Sequence, residues 1–203
     1  MEYMPRFLHV GCGPKRKNRT VKPFATSDWE EVSLDIDESV RPDIVDKLPD
    51  LSRVKSGSFD AVYSAHNIEH LYPHEVPVAL KAMRRVLRSD GFVILTCPDL
   101  HMVGERLAAG DIEKPLYTSS SGPVSPLDML YGFRPALKDG NLYMAHHTGF
   151  TLKSLGDACV NAGFAKFFGF RRPNRHDLWG IATKRAMTDD EMQDLAEIYL
   201  KPI

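Results

Sequence analysis

Short apolar segments alternate with longer stretches of mixed polarity through the first hundred residues. Alternation of this kind is typical of a parallel sheet whose strands are joined by crossover helices. The pattern therefore predicts a parallel α/β sheet in this half of the chain. The four segments with the length and composition of buried strands are 7–10, 32–36, 59–63 and 92–95.

Two helices are predicted from apolar residues that recur at helical spacing. The first covers residues 76–87, with Gly91 following as a stop signal. The second covers 152–162, between Thr151 as N-cap and Gly163 just past its end. The first of these helices gives one clear strand, helix, strand unit.

The last forty residues show a different periodicity. Segments 164–171 and 178–184 have the character of strands, and the turn-rich residues between them predict an antiparallel hairpin at one edge of the sheet. Thr188 and Glu191 then match a capping box ahead of an apolar stripe. We expect an amphipathic C-terminal helix at about 188–201 that packs on the chain's own core.

The stretch at about 100–147 has the weakest pattern. Gly110, the Ser/Gly/Pro-rich segment 119–123 and Pro126 interrupt any long element, although 127–133 predicts a short helix. We expect this stretch to form a lid or a wall of the substrate site, inserted in a single domain that spans 1–203.

Composition and charge exclude several classes of protein. The chain has 203 residues, with 26 Lys and Arg against 27 Asp and Glu, so no global charge indicates nucleic acid or an anionic membrane as a partner. Its 3 cysteines are far apart and odd in number, which fits a reducing cytoplasm rather than a disulfide framework. We see no export signal and no membrane-spanning stretch, and we expect a cytoplasmic protein.

A small-residue turn follows the first predicted strand. Gly11 and Gly13 allow the backbone to approach a ligand closely, but Arg16 stands where a dinucleotide fingerprint has its third glycine. The second strand ends about 20 residues later at Asp35 and Asp37, where an acidic side chain can accept hydrogen bonds from ribose hydroxyls. Together these features predict a nucleoside site.

Five short motifs follow one another in an order that resembles the class I methyltransferases dependent on S-adenosylmethionine (SAM), in particular the methyltransferase type 11-like group. The resemblance is strong over about 6–99 and loose over 148–184. It implies a Rossmann-like, doubly wound, mostly parallel seven-stranded sheet with an antiparallel C-terminal hairpin, and SAM as cofactor with S-adenosylhomocysteine as product. The motifs are Val10-Gly11-Cys12-Gly13, Leu34-Asp35-Ile36-Asp37, Asp46-Lys47-Leu48-Pro49, Phe59-Asp60-Ala61-Val62 and Glu69-His70-Leu71, and a version of the family's glycine turn, 86–92, comes after them.

The resemblance also implies residue roles. Gly11 and Gly13 pass under the methionine part of the cofactor, Asp35 binds the ribose, and Asp46 meets the adenine amino group. The full set of expected cofactor-binding residues is Gly11, Cys12, Gly13, Asp35, Ile36, Asp46, Lys47, Leu48 and His66.

The acceptor of the methyl group is not readable from the sequence. No basic patch with interleaved aromatic residues points to nucleic acid, so we expect a small molecule. If a general base is used, His70 is the first candidate, and the terminal helix and edge strand offer surfaces for a homodimer. The candidates for acceptor contact are Asp99, Tyr131, His146 and His147.

Two alternatives remain open at this point. His66, Glu69 and His70 match the inverted zinc-peptidase pattern H-x-x-E-H, which would make the chain a zinc-dependent hydrolase. Pro73 leaves too short a helix for that pattern, so we expect no metal. The other alternative is a protein that binds SAM without turnover.

Overall fold

The computed structural model describes residues 3–119 and 121–200, which form a mixed α/β fold. The predicted helix at about 188–201 is confirmed as far as the described residues extend, and residue 201 lies outside them. In chain order the elements are β1 (Arg6–Val10), β2 (Glu30–Asp35), β3 (Ile44–Val45), β4 (Phe59–Ala65), α1 (Val76–Val86), β5 (Leu87–Pro98), α2 (Leu100–Ala108), β6 (Tyr117–Ser119), β7 (Gly122–Val124), α3 (Pro126–Tyr131), α4 (Arg134–Lys138), α5 (Leu152–Asn161), β8 (Lys166–Arg172), β9 (Asp177–Thr183) and α6 (Asp189–Tyr199).

The main sheet has seven strands in the order β3-β2-β1-β4-β5-β9-β8. The first five are mutually parallel, whereas β9 runs antiparallel to both β5 and β8. The predicted fold class is therefore confirmed, including the C-terminal hairpin at the edge. The strand order reverses between β1 and β4, and open sheets of this kind bind ligands at such a reversal.

Both faces of the sheet are covered, as the alternation of side chains in β1 illustrates. Leu8 and Val10 join the core under α1 and α5, whereas Phe7 points to the opposite core. Met192 and Ala196 of α6 cover that second face, which confirms that the terminal helix packs on the chain's own core.

The expectation of crossover helices throughout the first half is wrong for the connections ahead of β4. Between β2 and β4, where every residue is described, the chain forms β3 and one 3-10 turn at Glu38–Val40 but no α-helix. The β1–β2 connection also lacks a helix. Residues 11–29, all described, contain one short 3-10 turn at Lys17–Arg19 and no α-helix. Proline at 14 and 23 interrupts the segment, and Phe24 instead stacks on Phe7 with ring centroids 4.3 Å apart. Aromatic side chains thus cover the sheet where a helix was expected.

The helices predicted outside the 100–147 stretch are confirmed, as are the N-caps Thr151 and Thr188. The prediction of Gly91 as the stop signal of the first helix is wrong, because β5 begins at Leu87 and contains Gly91. Capping boxes join Thr151 to Ser154 at α5 and Thr188 to Glu191 at α6. Within the stretch, α3 confirms the short helix, but α2 was not predicted. Asp99 begins α2 as its N-cap by accepting a hydrogen bond from the backbone N–H of His101 at 3.0 Å.

Across residues 3–119 and 121–200, none of the helices combines the length and apolar character needed to cross a bilayer.

Candidate functional site

A cleft of about 420 Å³ opens at the carboxyl ends of β1, β2 and β4, where the strand order reverses. We call it the switch-point cleft. Three groups of residues line most of it: the turn after β1, the ends of β2 and β3, and the segment that follows β4. The remaining wall comes from 141–144 and His147, in the stretch predicted to be a lid or wall.

The end of β2 is joined to the turn after β1 by the carboxylate of Asp35. The backbone N–H of Gly13 donates to Asp35 Oδ2 at 2.7 Å, and that of Asp37 donates to Oδ1 at 3.0 Å. Each oxygen keeps a lone pair for a further donor, because an ionised carboxylate accepts about four hydrogen bonds. Asp35 is thus fixed in orientation at the cleft wall and able to accept from two neighbouring hydroxyls.

Gly11 brings the backbone close to a side chain on the other wall. Its φ is +65°, and an added Cβ would lie 2.4 Å from Asn67 Cγ. No side chain fits there without moving Asn67. The turn therefore requires glycine for two independent reasons, backbone conformation and space.

The end of the cleft near β3 combines an acidic turn with an exposed apolar side chain. Asp46 accepts from the backbone N–H groups of Lys47 at 2.9 Å and Arg53 at 2.8 Å. Ile36 is 48% exposed beside it. Apolar surface next to a few oriented polar groups is typical of small-molecule sites.

Immediately after β4 the chain turns at His66, whose φ of +51° is unusual for a residue with a side chain. Its ring lies 3.4 Å from Glu69 Oε1 and 3.7 Å from Asp177 Oδ2. Desolvation opposes protonation of His66, but these two carboxylates outweigh it and raise its pKa to about 9. His66 therefore carries a positive charge at neutral pH on the wall of the cleft.

The residues after His66 form a 3-10 helix at Ile68–His70. The zinc-hydrolase interpretation needs His66 and His70 on one face of an α-helix, and His66 lies outside this short turn. Glu69 is buried, and its carbonyl accepts from the backbone N–H of His147 at 2.9 Å and of Thr148 at 3.2 Å. Main-chain hydrogen bonds thus join the turn after β4 to the wall of the cleft, residues 141–147, which we call the wall segment.

His70 and His146 meet on the wall side of this turn. Their ring centroids are 4.8 Å apart in an edge-to-face arrangement, and each ring places Nδ1 against a backbone carbonyl. Burial lowers the pKa of His146, which favours its neutral form.

The predicted cofactor-binding residues lie together, with one exception. The turn residues Gly11 and Gly13 and the whole set from β2, β3 and His66 line the switch-point cleft. Cys12 does not line it, because its side chain is buried beneath the turn, where burial raises the pKa of the thiol to about 11.

The predicted base, His70, and the four predicted acceptor residues are more scattered. His70 and His147 line the cleft, whereas Asp99, Tyr131 and His146 do not. Asp99 is fully buried and accepts from Arg171 Nε at 2.6 Å, so its visible role is to hold the start of α2 against β8. Tyr131 is 62% exposed at the end of α3.

The cleft also contains residues that the sequence interpretation missed, foremost Asn67 and Glu75. Asn67 occupies a variable position of the H-x-x-E-H pattern, and neither residue was assigned to the cofactor or acceptor site. Asn67 enters the cleft because the left-handed turn at His66 redirects the chain. The local sequence does not predict that turn.

Comparison with known proteins agrees with this geometry. Residues 8–95 match the family model described as a methyltransferase domain. No curated protein matches the chain.

Several solved structures share the fold at low sequence identity. The PH0226 protein of Pyrococcus horikoshii is 19% identical with a TM-score of 0.60, covering 91% of this chain and 84% of its own. A SAM-dependent methyltransferase of Methanosarcina mazei is 17% identical with a TM-score of 0.56, covering 91% and 94%. The 1,6-didemethyltoxoflavin-N1-methyltransferase of Burkholderia thailandensis, solved with 1,6-didemethyltoxoflavin and S-adenosylhomocysteine bound, is 15% identical with a TM-score of 0.57, covering 90% and 72%.

Proposed function

Because residues 8–95 carry a methyltransferase domain and the chain has the fold of SAM-dependent methyltransferases, we propose that it transfers the methyl group of SAM to a small-molecule acceptor. The observation that carries the proposal is the Gly13–Asp35 hydrogen bond of 2.7 Å in the switch-point cleft. It presents an oriented carboxylate beside a glycine turn, as a nucleoside with an attached amino acid requires.

In this proposal the cofactor lies along the cleft from the β1 turn to β3. Asp35 accepts hydrogen bonds from the ribose hydroxyls, and Gly11 and Gly13 pass beneath the methionine part. Ile36 contacts the adenine ring on its apolar face. Asp46 meets the adenine amino group, with Lys47 and Leu48 beside the ring.

The acceptor is proposed to enter on the side of 141–147, which serves as wall and lid. Methyl transfer from a sulfonium needs in-line positioning and exclusion of water more than dedicated catalytic groups. The acceptor atom forms its bond to the methyl carbon as the sulfur–methyl bond breaks, and the sulfonium becomes a neutral thioether.

His70 is the proposed base where the acceptor carries a proton. Its Nδ1 lies 2.9 Å from the carbonyl of Ala145. A carbonyl only accepts, so Nδ1 carries a hydrogen and Nε2 is the nitrogen available to take a proton from the acceptor. An imidazole held in one orientation on the cleft wall is placed for general-base catalysis.

Isothermal titration calorimetry with SAM, S-adenosylhomocysteine and NAD tests the cofactor assignment. We expect the two adenosyl ligands to bind with micromolar affinity and NAD not to bind. Asp35→Ala should abolish adenosyl binding, whereas Asp90→Ala, a change at a carboxylate that is 80% exposed and outside the cleft, should not. Equal binding by both variants would overturn the assignment.

A further inference from the structure

Three side chains with metal-binding atoms converge beside the switch-point cleft. Glu69 and His70 come from the 3-10 helix after β4, and His146 comes from the wall segment. One ligand atom from each lies within 4.8 Å of the other two. Within the described parts of the chain, this is the one such group of three or more His, Cys, Asp or Glu side chains.

Both histidines are oriented by a contact between Nδ1 and a backbone carbonyl. His70 Nδ1 lies 2.9 Å from the carbonyl oxygen of Ala145, and His146 Nδ1 lies 2.8 Å from that of Met129. Since a carbonyl cannot donate, each Nδ1 carries a hydrogen, and Nε2 is the ring nitrogen left to bind a metal. Histidines that bind metals are oriented in the same way, by a hydrogen bond from the other ring nitrogen.

The carboxylate of Glu69 lacks the hydrogen bonds that its burial demands. The residue is 1% exposed, and neither carboxylate oxygen has a hydrogen-bond donor among the described residues. Its nearest cation is the ring of His66, 3.4 Å from Oε1 at ion-pair distance. The charged His66 ring offsets part of the carboxylate's charge, but a buried carboxylate whose two oxygens receive no hydrogen bond is still costly, and a bound cation would supply the missing contact.

We propose that Glu69, His70 and His146 bind a divalent metal ion, for which two imidazoles and one carboxylate make zinc the best fit. This site differs from the H-x-x-E-H zinc pattern. His66 is not a ligand here, and Glu69 binds the ion instead of activating water. It also departs from our expectation, drawn from the sequence, of a protein without metal.

The consequence for the acceptor rests on the proposed methyltransferase function. His70 lines the cleft, so an ion bound to it lies at the cleft's border with coordination positions left open. A hydroxyl-bearing acceptor bound there would release its proton to water more readily, because the ion lowers the hydroxyl pKa. The oxygen then forms its bond to the methyl carbon as the sulfur–methyl bond breaks. His70 acts in this case as a ligand and not as a free base.

Metal titration of the full chain, free of any affinity tag and stripped with a chelator, tests the site. Zinc is added back to the stripped chain, and the bound zinc is measured after dialysis. In a separate titration Co²⁺ is added, with visible absorption as the readout. Glu69→Gln and His146→Asn each remove one ligand. His101→Asn is the matched control, because His101 is an exposed histidine paired with Glu105 at 3.2 Å and lies outside the group.

We expect one zinc per chain, a cobalt spectrum typical of low coordination number, and affinity at least about tenfold weaker in both ligand variants but unchanged in the control. Absent or substoichiometric metal in the parent chain, or equal affinity in all variants, overturns the site. Binding of S-adenosylhomocysteine, measured in parallel, also reports whether the variants fold. Cofactor binding without metal would refute this site alone, whereas metal binding without cofactor binding would refute the proposed function alone.

Discussion

Arg16 Nη2 donates a 2.7 Å hydrogen bond to the carbonyl of Val40, which ties the turn after β1 to the turn after β2. The same guanidinium also donates to the carbonyls of Gly13 at 3.1 Å and Arg41 at 2.9 Å. Planar guanidinium groups suit such multiple contacts, and Arg16 uses them to hold the two sides of the switch-point cleft in register. Arg16 therefore has a structural role within the basic run Lys15-Arg16-Lys17-Asn18-Arg19 that follows β1.

Arg16→Ala should weaken S-adenosylhomocysteine binding about three- to tenfold and lower the free energy of unfolding by about 1–2 kcal/mol, because several hydrogen bonds to carbonyls are lost. Calorimetry and urea unfolding measure the two effects. Arg19→Ala removes an exposed charge from the same run and should change neither. Equal losses in the two variants would mean that charge, and not the link between the turns, matters.

Gly11→Ala should lower the stability of the chain by more than the cost of the left-handed backbone at residue 11 alone. A left-handed conformation costs an L-residue roughly 1–2 kcal/mol, and overpacking against Asn67 adds roughly 1–3 kcal/mol. Gly57→Ala is the matched control, since its φ of +64° nearly equals the +65° of Gly11 and no atom lies within 4 Å of the added Cβ. Thermal unfolding of both variants isolates the clash.

The double variant Gly11→Ala/Asn67→Ala completes this test. Truncating Asn67 removes the atoms that the new Cβ would meet. The double variant should therefore be about as stable as Gly57→Ala. If it does not, Asn67 is not the cause of the loss.

These residues also illustrate what the sequence could predict. The glycine turn and Asp35 were predicted because their signals are local: small residues directly after one strand and an acid at the end of the next. Asn67 was not, because its place depends on the left-handed turn at His66. The meeting of Glu69 and His70 with His146 depends on how a segment about seventy-five residues away folds back, as the hydrogen bond between His70 and Ala145 shows.

The same distinction applies to the elements of the fold. Helices with an N-cap and a strong apolar stripe, such as α5 and α6, were predicted with close bounds. The β1–β2 connection was not, because Phe24 and Trp29 cover the sheet through tertiary packing of aromatic rings, with centroids 4.8 Å apart. Local secondary-structure propensity does not predict such tertiary contacts.

Gly132→Ala should displace the wall of the cleft. Gly132 has a φ of +97°, and an added Cβ would lie 1.9 Å from the carbonyl oxygen of Met144, a backbone atom that cannot swing aside. Hydrogen exchange at 141–147 should accelerate, and acceptor turnover should fall once an acceptor is known. Gly140→Ala, with a φ of +88° and open space around the new Cβ, should leave exchange at Met144 nearly unchanged. Similar exchange in the two variants would show that the wall tolerates the clash.

Asp128 stabilises the start of α3 in a manner that should depend on pH. Its carboxylate accepts from Arg134 Nε at 2.8 Å, from the Ser125 hydroxyl at 2.6 Å and from the Ser125 backbone N–H at 2.8 Å. Desolvation opposes ionisation, but these donors outweigh it and lower the pKa of Asp128 from 3.8 to about 2.

The sign of the pH effect follows from the lowered pKa. Above about pH 5 the carboxylate is ionised in both the folded and the unfolded chain, and the full stabilisation is present. As the pH falls from about 5 towards 2, the unfolded chain takes up the proton first and the stabilisation is lost. After allowing for solvent screening at the half-exposed Arg134, we expect a contribution of about 1–2 kcal/mol at neutral pH.

Urea unfolding of Asp128→Asn and the parent chain, from pH 7 down to the lowest pH at which both still fold, measures this contribution. The difference in unfolding free energy should be about 1–2 kcal/mol at pH 7 and should shrink at the acidic end, because the parent carboxylate loses its advantage as it protonates. Asp90→Asn removes a carboxylate that is 80% exposed and paired only loosely with Arg185 at 3.5 Å, and it should change stability little at any pH. A difference for Asp128→Asn that stays constant down to the acidic end would assign the effect to shape or to the lost capping geometry, and not to the ionised group.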